Sequence, residues 1–564
     1  MTAFRPDVDD ASLIRNQGTT SVVRNQRAVC SSDNAAVTNA MVRVLRDGGN
    51  AVDAAITGCM MQATVEPFMT NHAGMVTALV YDAKTGTISA LDSQGTMPHD
   101  LSPFKPILGI NNGFAMPGGE PSACIPGFMP GLKALYERFG SKPWASLVEE
   151  SIYWAEEGHF VSTFEHTATI FGWEFYTYFP EGRALFAPDG FPHAVGSRFK
   201  NPELARTLRR VAAEGPDYFI TGEWAQHFIE RAKAMGWEIE ACHMTEVPPR
   251  WSDPVRYAHR GYDIVQLPLP QRQGVFCALV LGMLDFVDGA YESADSADAV
   301  YAMAHALRVA AQQCGFVNDP LIFEVPLDVW LDRNYHEFLG SVVNRSRPKV
   351  DLSGHVQKTW GPSKLAAAGV PFARAEKEKQ PTGSCELAVV DAGGNWVQMM
   401  NTLQSGGIPG QVVDGVPMVG SHATLGNMAS AIDTWLAPGA RMRCVIGNTI
   451  VMREGRPIFS LGSPGNVHCT VPQVLVNAID RKMGFVDAVE APRMLPLGDD
   501  YSLTIESRLP EESRKKLTAM GIRLQSENAY DFHMGSFQVA WREPGGSLGA
   551  CADLRRVGVA GGLA

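Results

Sequence analysis

Residues 381–391, PTGSCELAVVD, decide the fold of this 564-residue chain. The segment before them, residues 350–380, is lysine-rich, polar and weakly periodic, which predicts a long exposed connector. The apolar run 386–391 predicts a buried strand, and a Gly-Gly turn followed by residues 396–403 predicts its neighbour. The main boundary in the chain therefore lies near residue 383, where a connector meets the start of a strand.

Helices and hairpins are predicted on both sides of this boundary. Apolar residues recur at helical spacing from about residue 35, and Gly48-Gly49 would end that helix, because glycine adopts a positive φ freely. Asn50 and Asp53 have the spacing of a capping box at the start of the next helix. The other predicted elements are hairpins at 75–92 and 444–461, helices within 130–240 and at 297–314, and a polar N-terminal arm at 1–26.

The composition is that of a folded chain with an ample core. Hydrophobic residues make up 45% and charged residues 19%, which excludes a disordered tail, a fibrous repeat and a coiled coil. The net charge of −12 disfavours binding to nucleic acid or to an anionic membrane. The start lacks a secretory pattern, and the longest apolar stretch, residues 275–287, is too short to span a bilayer. Ten scattered cysteines without a CxxC pair favour a reducing, cytoplasmic location.

Signatures of cofactor and metal chemistry are absent from the sequence. There is no GxxxxGK[ST] phosphate loop, no HExxH zinc motif and no GxSxG nucleophile elbow. The 14 histidines are scattered without the spacing of metal ligands. We therefore expect that the protein needs neither a metal nor a cofactor.

Four groups of motifs together resemble the γ-glutamyltranspeptidase family, a branch of the N-terminal-nucleophile hydrolases. They match in order and spacing from about residue 27 to the C-terminus, and although each motif alone is weak, the set is highly specific. The motifs are DGGNAVDAA at 47–55 with VEP at 65–67, IPGF at 125–128 with RFG at 138–140 and PW at 143–144, LAVVD at 387–391 with NTL at 401–403, and NTIV at 448–451 with LGSPG at 461–465 and AVEAPR at 488–493.

The resemblance implies an α+β fold of the four-layer αββα sandwich type. It also implies a precursor that cuts itself, so that residues 27–383 and 384–564 would be the large and small portions of one domain. Counted back from the motif at 388–391, the nucleophile is Ser384, and the cut falls between Gly383 and Ser384. Family members usually have threonine at this position.

Elementary chemistry agrees with Ser384 as the nucleophile. Before cleavage its hydroxyl can attack the carbonyl of Gly383, where the missing side chain permits a strained approach. After cleavage the free α-amino group, with an ordinary pKa of about 7.7–8.0, can act as a general base without any histidine. Thr382 and Cys385 carry competing nucleophilic side chains, but both break the register of the motif.

The same resemblance assigns further catalytic residues. Thr402 matches a threonine whose hydroxyl supports the nucleophile, although its position also suits a cross-strand β-branched residue. Gly465 and Asn466 match a Gly-Gly pair whose backbone N–H groups form the oxyanion hole, and we expect Asn466 to tolerate a positive φ if the turn requires one. Gln404 replaces the usual asparagine and could still donate an amide hydrogen bond.

The residues that would recognise a γ-glutamyl group are missing. Gln94 replaces the arginine that clamps the α-carboxylate in the family, and an amide is a poor substitute for that charged, bidentate donor. Cys444 and Val445 replace a Ser-Ser pair, and GNMASA at 426–431 replaces the acidic stretch that reads the α-amino group. Arg443 is predicted to be either a solvated strand residue or an anchor for an anion.

These patterns predict a self-processing amidohydrolase that cleaves a small-molecule amide through an acyl-enzyme on Ser384. Its substrate is expected to differ from γ-glutamyl compounds and to be closer to those of oxamate-amidohydrolase-like or acylase-like members. Two alternatives stay open: a catalytically silent member that binds a ligand or partner, and a true γ-glutamyl hydrolase or transferase with altered recognition. The expected partners are the small-molecule substrate and the two fragments of the chain, with a homo-oligomer as a further option.

Overall fold

Two seven-stranded sheets form the centre of the structure. The computed structural model describes residues 20–345 apart from 97–98, 100–123, 178, 315–316, 318 and 322–323, and residues 383–564 apart from 404–406, 409, 419–438, 440, 442–445 and 499–500. Several predicted features lie outside the described residues, namely the connector 350–380, the GNMASA stretch, Thr382, Gln404, Arg443, Cys444 and Val445.

The strands pair antiparallel within both sheets. The strands are β1 Ser21–Gln26, β2 Ala28–Ser32, β3 Met75–Asp82, β4 Thr87–Ser93, β5 His159–Phe160, β6 Arg198–Phe199, β7 Arg250–Ser252, β8 Val255–His259, β9 Tyr262–Gln266, β10 Cys385–Val390, β11 Trp396–Thr402, β12 Gln411–Val413, β13 Val416–Met418, β14 Thr449–Arg453, β15 Arg456–Gly462, β16 Ser502–Glu506, β17 Arg523–Glu527, β18 Gln538–Arg542, β19 Leu548–Ala552 and β20 Val559–Leu563. Sheet I has the order β20-β2-β10-β11-β3-β4-β7, and sheet II has the order β1-β19-β18-β15-β14-β9-β8.

Helices cover the outer face of each sheet. The helices are α1 Ala35–Arg46, α2 Ala51–Val65, α3 Phe128–Phe139, α4 Trp144–Glu157, α5 Thr163–Phe171, α6 Trp173–Tyr176, α7 Pro180–Phe186, α8 Pro202–Glu214, α9 Glu223–Ala234, α10 His243–Glu246, α11 Gln273–Leu284, α12 Ala297–Gln313, α13 Leu327–Leu331, α14 Arg333–Arg345, α15 Val467–Ile479, α16 Phe485–Glu490 and α17 Glu511–Ala519. Helices α1 to α4 share a core with sheet I, and α11, α12 and α15 share one with sheet II. The predicted α+β, four-layer αββα sandwich is therefore confirmed.

Strand β10 is buried on both faces, which explains its continuous apolar run. Leu387 and Val389 face the core beneath α1 and α2, whereas Ala388 and Val390 face the core between the sheets. Successive strand side chains point to opposite faces, so both cores demand apolar residues from this one strand. The predicted pairing with the next strand is confirmed, with Cys385 opposite the residue before Thr402.

Helix α2 positions β10 from the outside. All of its residues are buried, and Asn50 and Asp53 form the predicted capping box across its first turn. A side chain at Gly58 would place its Cβ 2.9 Å from Leu387 Cδ2 and 2.8 Å from Met41 Sδ. Glycine at this position therefore lets α2 lie close against both α1 and β10.

Two predicted boundaries differ from the structure. The last residues of the predicted arm 1–26 form β1, which pairs with β19 at the edge of sheet II. Its side chains are exposed or half-buried, so the apolar pattern gave no sign of this edge strand. The hairpin at 75–92 is confirmed, but the second hairpin starts at Thr449 rather than at residue 444 among the described positions. No helix in the described part of the chain is both long and apolar enough to cross a membrane.

Candidate active site

Ser384 lies at the end of sheet I, directly before β10, and its side chain belongs to a cluster of three oxygen atoms. Its Oγ donates to Thr402 Oγ1 at 2.9 Å and also contacts the carbonyl oxygen of Gly383. Thr402 Oγ1 in turn donates to the Gly383 carbonyl oxygen at 2.7 Å. Ser384 is 6% exposed and Thr402 is fully buried. The hydroxyl predicted to attack the 383–384 peptide bond therefore touches that bond.

Strand register brings these residues together. Cys385 pairs with Asn401 across β10 and β11, so Ser384 and Thr402 are the next opposed pair and share one face of the sheet. A Cβ at Gly383 would lie 2.8 Å from Leu403 Cδ1. The side chain of Leu403 therefore occupies the space that a side chain at position 383 would enter.

Two buried charged residues, Asp33 and Arg556, hold the backbone around the nucleophile. Arg556 Nη1 donates to the Ser384 carbonyl oxygen at 2.7 Å, and Asp33 Oδ2 accepts the N–H of Glu386 at 3.1 Å. Burial raises the pKa of Asp33, while the Arg556 charge and hydrogen bonds oppose that rise. Sequence reasoning missed both residues, because a charged residue beside a strand end looks the same whether it is solvated or buried.

Cys385 lies on the opposite face of sheet I from Ser384, because neighbouring strand residues alternate. Its thiol is fully buried and donates to Glu66 Oε2 at 3.5 Å. Burial raises the pKa of Cys385 well above its ordinary value, which disfavours the reactive thiolate. Burial, followed by the charge of Asp33, raises the pKa of Glu66 to about 8.

Glu386 faces the space between the two sheets. Its Oε1 accepts hydrogen bonds from Gln398 Nε2 at 2.6 Å and Asn448 Nδ2 at 2.8 Å. Burial raises the pKa of Glu386 well above its ordinary value, while the hydrogen bonds from Gln398 and Asn448 oppose that rise. A Cβ at Gly462 would lie 2.0 Å from Glu386 Oε1, so this glycine lets sheet II approach the Ser384 end of sheet I.

Gly465 and Asn466 lie at the turn between β15 and α15. Gly465 has φ 87°, whereas Asn466 has φ −77°. The turn therefore does not require a positive φ of Asn466, since the preceding glycine takes that conformation. The Asn466 backbone N–H donates to His533 O at 3.4 Å, and its Nδ2 donates to the same oxygen at 2.7 Å. The N–H of Gly465 has no hydrogen-bond acceptor among the described residues.

Hydrogen bonds connect this turn to the nucleophile. Ser463 Oγ accepts the N–H of Ser536 at 2.9 Å, and Ser536 Oγ donates to Asp33 Oδ1 at 2.6 Å. Asp33 also accepts the N–H of Glu386, two residues after Ser384. The predicted oxyanion turn and the predicted nucleophile therefore belong to one buried network.

Gln94 lies at the same end of sheet I, directly after β4. The register continues from Thr402 to Met75 on β3, and Gln94 is the next position across on β4. Three steps between neighbouring strands separate Ser384 from Gln94 by about 14 Å. Gln94 is 3% exposed, and neither atom of its amide group has a hydrogen-bond partner among the described residues.

One group of described side chains, His99, His243 and Glu246, has the composition of a metal site. Their ligand atoms lie within 4.8 Å of one another. However, His243 Nδ1 accepts the N–H of Glu240 at 3.1 Å, which leaves the hydrogen on Nε2, the nitrogen that would have to bind a metal. The rings of His99 and His243 are also stacked, with centroids 4.5 Å apart. The geometry of this group therefore does not fit a metal ion.

Comparisons with known proteins agree with this geometry. A sequence profile described as Gamma-glutamyltranspeptidase matches residues 37–563. The Acylase ACY 1 proenzyme of Pseudomonas sp. (strain SE83) is 26% identical over 546 residues, which cover 93% of this chain and 92% of the relative. The Glutathione hydrolase proenzyme of Escherichia coli (strain K12) is 26% identical over 568 residues, which cover 95% of this chain and 91% of the relative. The crystal structure of cephalosporin acylase from Bacillus halodurans superposes with a TM-score of 0.80 at 20% identity and covers 100% of both chains.

The fold and the family profile define an amidohydrolase of the N-terminal-nucleophile class. Within that class, the chain belongs to the γ-glutamyltranspeptidase family. The structural similarity to cephalosporin acylase supports the fold, and the relatives named acylase and glutathione hydrolase support amide hydrolysis as the reaction.

Proposed function

We propose that the chain cuts itself between Gly383 and Ser384 and then hydrolyses a small-molecule amide through an ester of Ser384. The observation that carries the proposal is the contact of Ser384 Oγ with both Thr402 Oγ1 and the carbonyl of the peptide bond to be cut. Thr402 polarises that carbonyl by donating to its oxygen. The relatives that are named proenzymes support processing of the chain.

Self-cleavage begins when Ser384 Oγ attacks the carbonyl carbon of Gly383. The hydroxyl proton passes to the amide nitrogen, the C–N bond breaks, and the Gly383 acyl group becomes an ester on Oγ. Water then hydrolyses the ester, which yields the Gly383 carboxylate, restores the hydroxyl and leaves the α-amino group of Ser384 free.

Turnover repeats this chemistry on an external amide. The α-amino group of Ser384 takes the hydroxyl proton while Oγ attacks the substrate carbonyl, and the same proton leaves with the amine product. The N–H of Gly465 is proposed to stabilise the oxyanion, whereas that of Asn466 has first to leave His533 O. Water then releases the acid and regenerates the enzyme.

The substrate is proposed to be an acylase-type amide rather than a γ-glutamyl compound. Gln94 is neutral and buried, so it cannot supply the charge that an α-carboxylate needs in a desolvated site. Relatives named acylase and relatives named glutathione hydrolase are equally similar to this chain, so their names alone do not decide between the two substrates. A cytoplasmic location, a homo-oligomer and substrate contacts of Gln404, Arg443, Cys444 and Val445 remain predictions from the sequence.

The test is to compare the wild-type chain with Ser384→Ala on a denaturing gel and in an assay of amine release from a panel of p-nitroanilides. The wild type should yield fragments 1–383 and 384–564 and release p-nitroaniline, whereas Ser384→Ala should do neither. Ser384→Thr is the matched control, since it keeps a hydroxyl nucleophile and should still process. A wild-type chain that stays intact and inactive would favour a catalytically silent binding protein.

A further inference from the structure

Arg556 places a buried positive charge beside the backbone of the nucleophile. It lies on the turn between β19 and β20 and is 1% exposed. Its Nη1 donates to the Ser384 carbonyl oxygen at 2.7 Å, and its guanidinium carbon lies 5.1 Å from the ring centroid of Phe164. Burying a charge is costly unless neighbouring groups compensate for the lost hydration. The groups around Arg556 therefore determine what its charge can do.

Acidic and thiol side chains surround this guanidinium. Burial raises the pKa of Asp33, of Glu66 and of the Cys385 thiol, and the positive charge of Arg556 opposes that rise at all three. The charge of Glu165 on α5 adds to the rise at Glu66. These groups come from the segments before α1 and after α2, and from α5 and β10, so the fold itself holds the guanidinium among groups of opposite charge.

Other charged residues near this cluster are paired with one another. His159 Nε2 lies 3.0 Å from Glu165 Oε2. Arg555 binds Asp553 Oδ1 at 3.1 Å and Glu506 Oε1 at 2.6 Å. Because these charges compensate one another, the guanidinium that bonds to the carbonyl of the nucleophile is the positive charge that acts most directly on that residue in the described part of the chain.

The α-amino group that self-cleavage would free lies close to this guanidinium. Within one residue, the nitrogen and the carbonyl oxygen are at most about 3.6 Å apart, because three covalent bonds join them. Together with the 2.7 Å hydrogen bond, this limit places Arg556 Nη1 within about 6.3 Å of the Ser384 nitrogen. A positive charge at this distance disfavours protonation of an amine and would lower its pKa by up to about 2.

We infer that Arg556 is a positioning residue for the reaction: it fixes Ser384 through the carbonyl oxygen, and its charge keeps the freed α-amino group in the neutral form. The inference rests on the proposed function, because the α-amino group is free only after the cut and acts there as the general base. The neutral amine takes the proton of the Ser384 hydroxyl while Oγ attacks the substrate, and the same proton leaves with the amine product. A protonated amine could not take that proton.

The pH dependence of p-nitroanilide turnover by the processed enzyme tests this inference. The value of kcat/KM should rise with pH through the pKa of the free α-amino group. Arg556→Gln removes the charge and should move that rise at least about one pH unit higher. Arg556→Lys keeps the charge and should leave the rise within about 0.3 pH units of the wild type, even if kcat falls. Lys515→Gln removes a positive charge from an exposed position on α17 and should change neither the rise nor kcat.

A direct measurement on the wild type keeps the test decisive if Arg556→Gln fails to fold or to process. The folded protein is acetylated with acetic anhydride at a series of pH values, and mass spectrometry of the peptide that begins with Ser384 gives the pKa of its α-amino group. We expect a pKa below about 7, against the ordinary 7.7–8.0.

Three outcomes would overturn the inference: a pKa of about 7 or more for the wild-type α-amino group, a pH profile of Arg556→Gln that coincides with that of the wild type, or an equal displacement in Arg556→Lys and Arg556→Gln. A wild-type preparation without any Ser384 N-terminus would contradict the proposed function instead, so the two failures are distinguishable.

Discussion

At the residue scale, the hydroxyl of Ser384 is held by a neighbour that also acts on the bond to be cut. Thr402 Oγ1 accepts from Ser384 Oγ and donates to the Gly383 carbonyl oxygen, so under the proposed mechanism one threonine orients the nucleophile and polarises its target. No histidine takes part in the described hydrogen bonds of these three residues. This arrangement makes Thr402 the residue whose hydroxyl should matter most for processing.

Thr402→Val should slow self-cleavage about a hundredfold, because it removes one hydrogen bond to the carbonyl where negative charge develops. Valine keeps the volume and β-branching of threonine, so the strand should stay folded. Thr402→Ser is the matched control and should process within about tenfold of the wild type, since the hydroxyl remains. The measurement is the rate at which fragment 384–564 accumulates on a denaturing gel. Equal rates for Thr402→Val and wild type would contradict this role.

Glu66 gives the molecule a predictable pH dependence. Its pKa is raised from 4.5 to about 8, so the folded state prefers the protonated carboxyl, and the stability from this group is lost as pH rises through that interval. Glu66→Gln stays neutral throughout. We expect the free energy of unfolding of Glu66→Gln, relative to the wild type, to rise between pH 5 and pH 8, by on the order of 1.4 kcal/mol per pH unit. A difference that stays constant over that range would show that Glu66 is not protonated in the folded protein.

The sequence motifs identified Ser384 and Thr402, but they did not identify Asp33 or Arg556. Ser384 and Thr402 lie in or beside sequence motifs whose spacing alone predicts their positions. The roles of Asp33 and Arg556 depend on burial and on partners far away in the chain, such as Arg556 with Ser384, 172 positions earlier. The sequence likewise left open whether Asn466 takes a positive φ, because a local pattern does not show which of Gly465 and Asn466 adopts it.

At the element scale, the two sheets approach each other closely at Gly462, near Ser384. A Cβ at Gly462 on β15 would lie 2.0 Å from Glu386 Oε1 and 2.7 Å from Gln398 Nε2. Both of those side chains project from sheet I and are fully buried. The small size of Gly462 therefore sets how closely β15 approaches β10 and β11.

Gly462→Ala should destabilise the protein by about 1–3 kcal/mol, as expected for overpacking of a dense core. The measurement is the midpoint of urea unfolding. Gly545→Ala is the matched control, since a Cβ there meets no atom within 4 Å, and its midpoint should stay near that of the wild type. If the two alanine variants unfold at the same urea concentration, the contact between the sheets is looser than described.

Elements with a local sequence signal, such as a capping box or a hairpin, were predicted, whereas strand β1, which has no such signal, was not. The capping box at Asn50 and the hairpin ending in β4 were predicted because their residues contact near neighbours in sequence. Strand β1 was not predicted, because its pairing with β19 joins the two ends of the chain and its side chains are not buried. Edge strands of this kind are defined by backbone hydrogen bonds that side-chain patterning does not record.

At the scale of the whole molecule, the proposed cut divides the chain into two fragments whose strands are paired with each other in both sheets. Strands β10, β11 and β20 would belong to fragment 384–564, and in sheet I they pair with β2 and β3 of the preceding part. Sheet II is shared in the same way, because β9 pairs with β14 and β1 pairs with β19. The two fragments therefore share both sheets and both cores.

Cleaved protein should elute from a size-exclusion column at the volume of the intact Ser384→Ala chain, because the shared sheets hold the fragments together. In a denaturant the fragments should elute apart. The measurement is the elution volume together with a denaturing gel of each fraction. Fragments that separate in native buffer would show that the pairing of β10 with β2 and of β11 with β3 does not survive the cut.

The most direct test of the account is N-terminal sequencing, with intact mass, of the purified wild-type protein after incubation. The account predicts two species, one of which begins with Ser384 and has the mass of residues 384–564. A single intact chain would contradict self-processing at this site. A new N-terminus at Thr382, Cys385 or elsewhere would contradict Ser384 as the nucleophile.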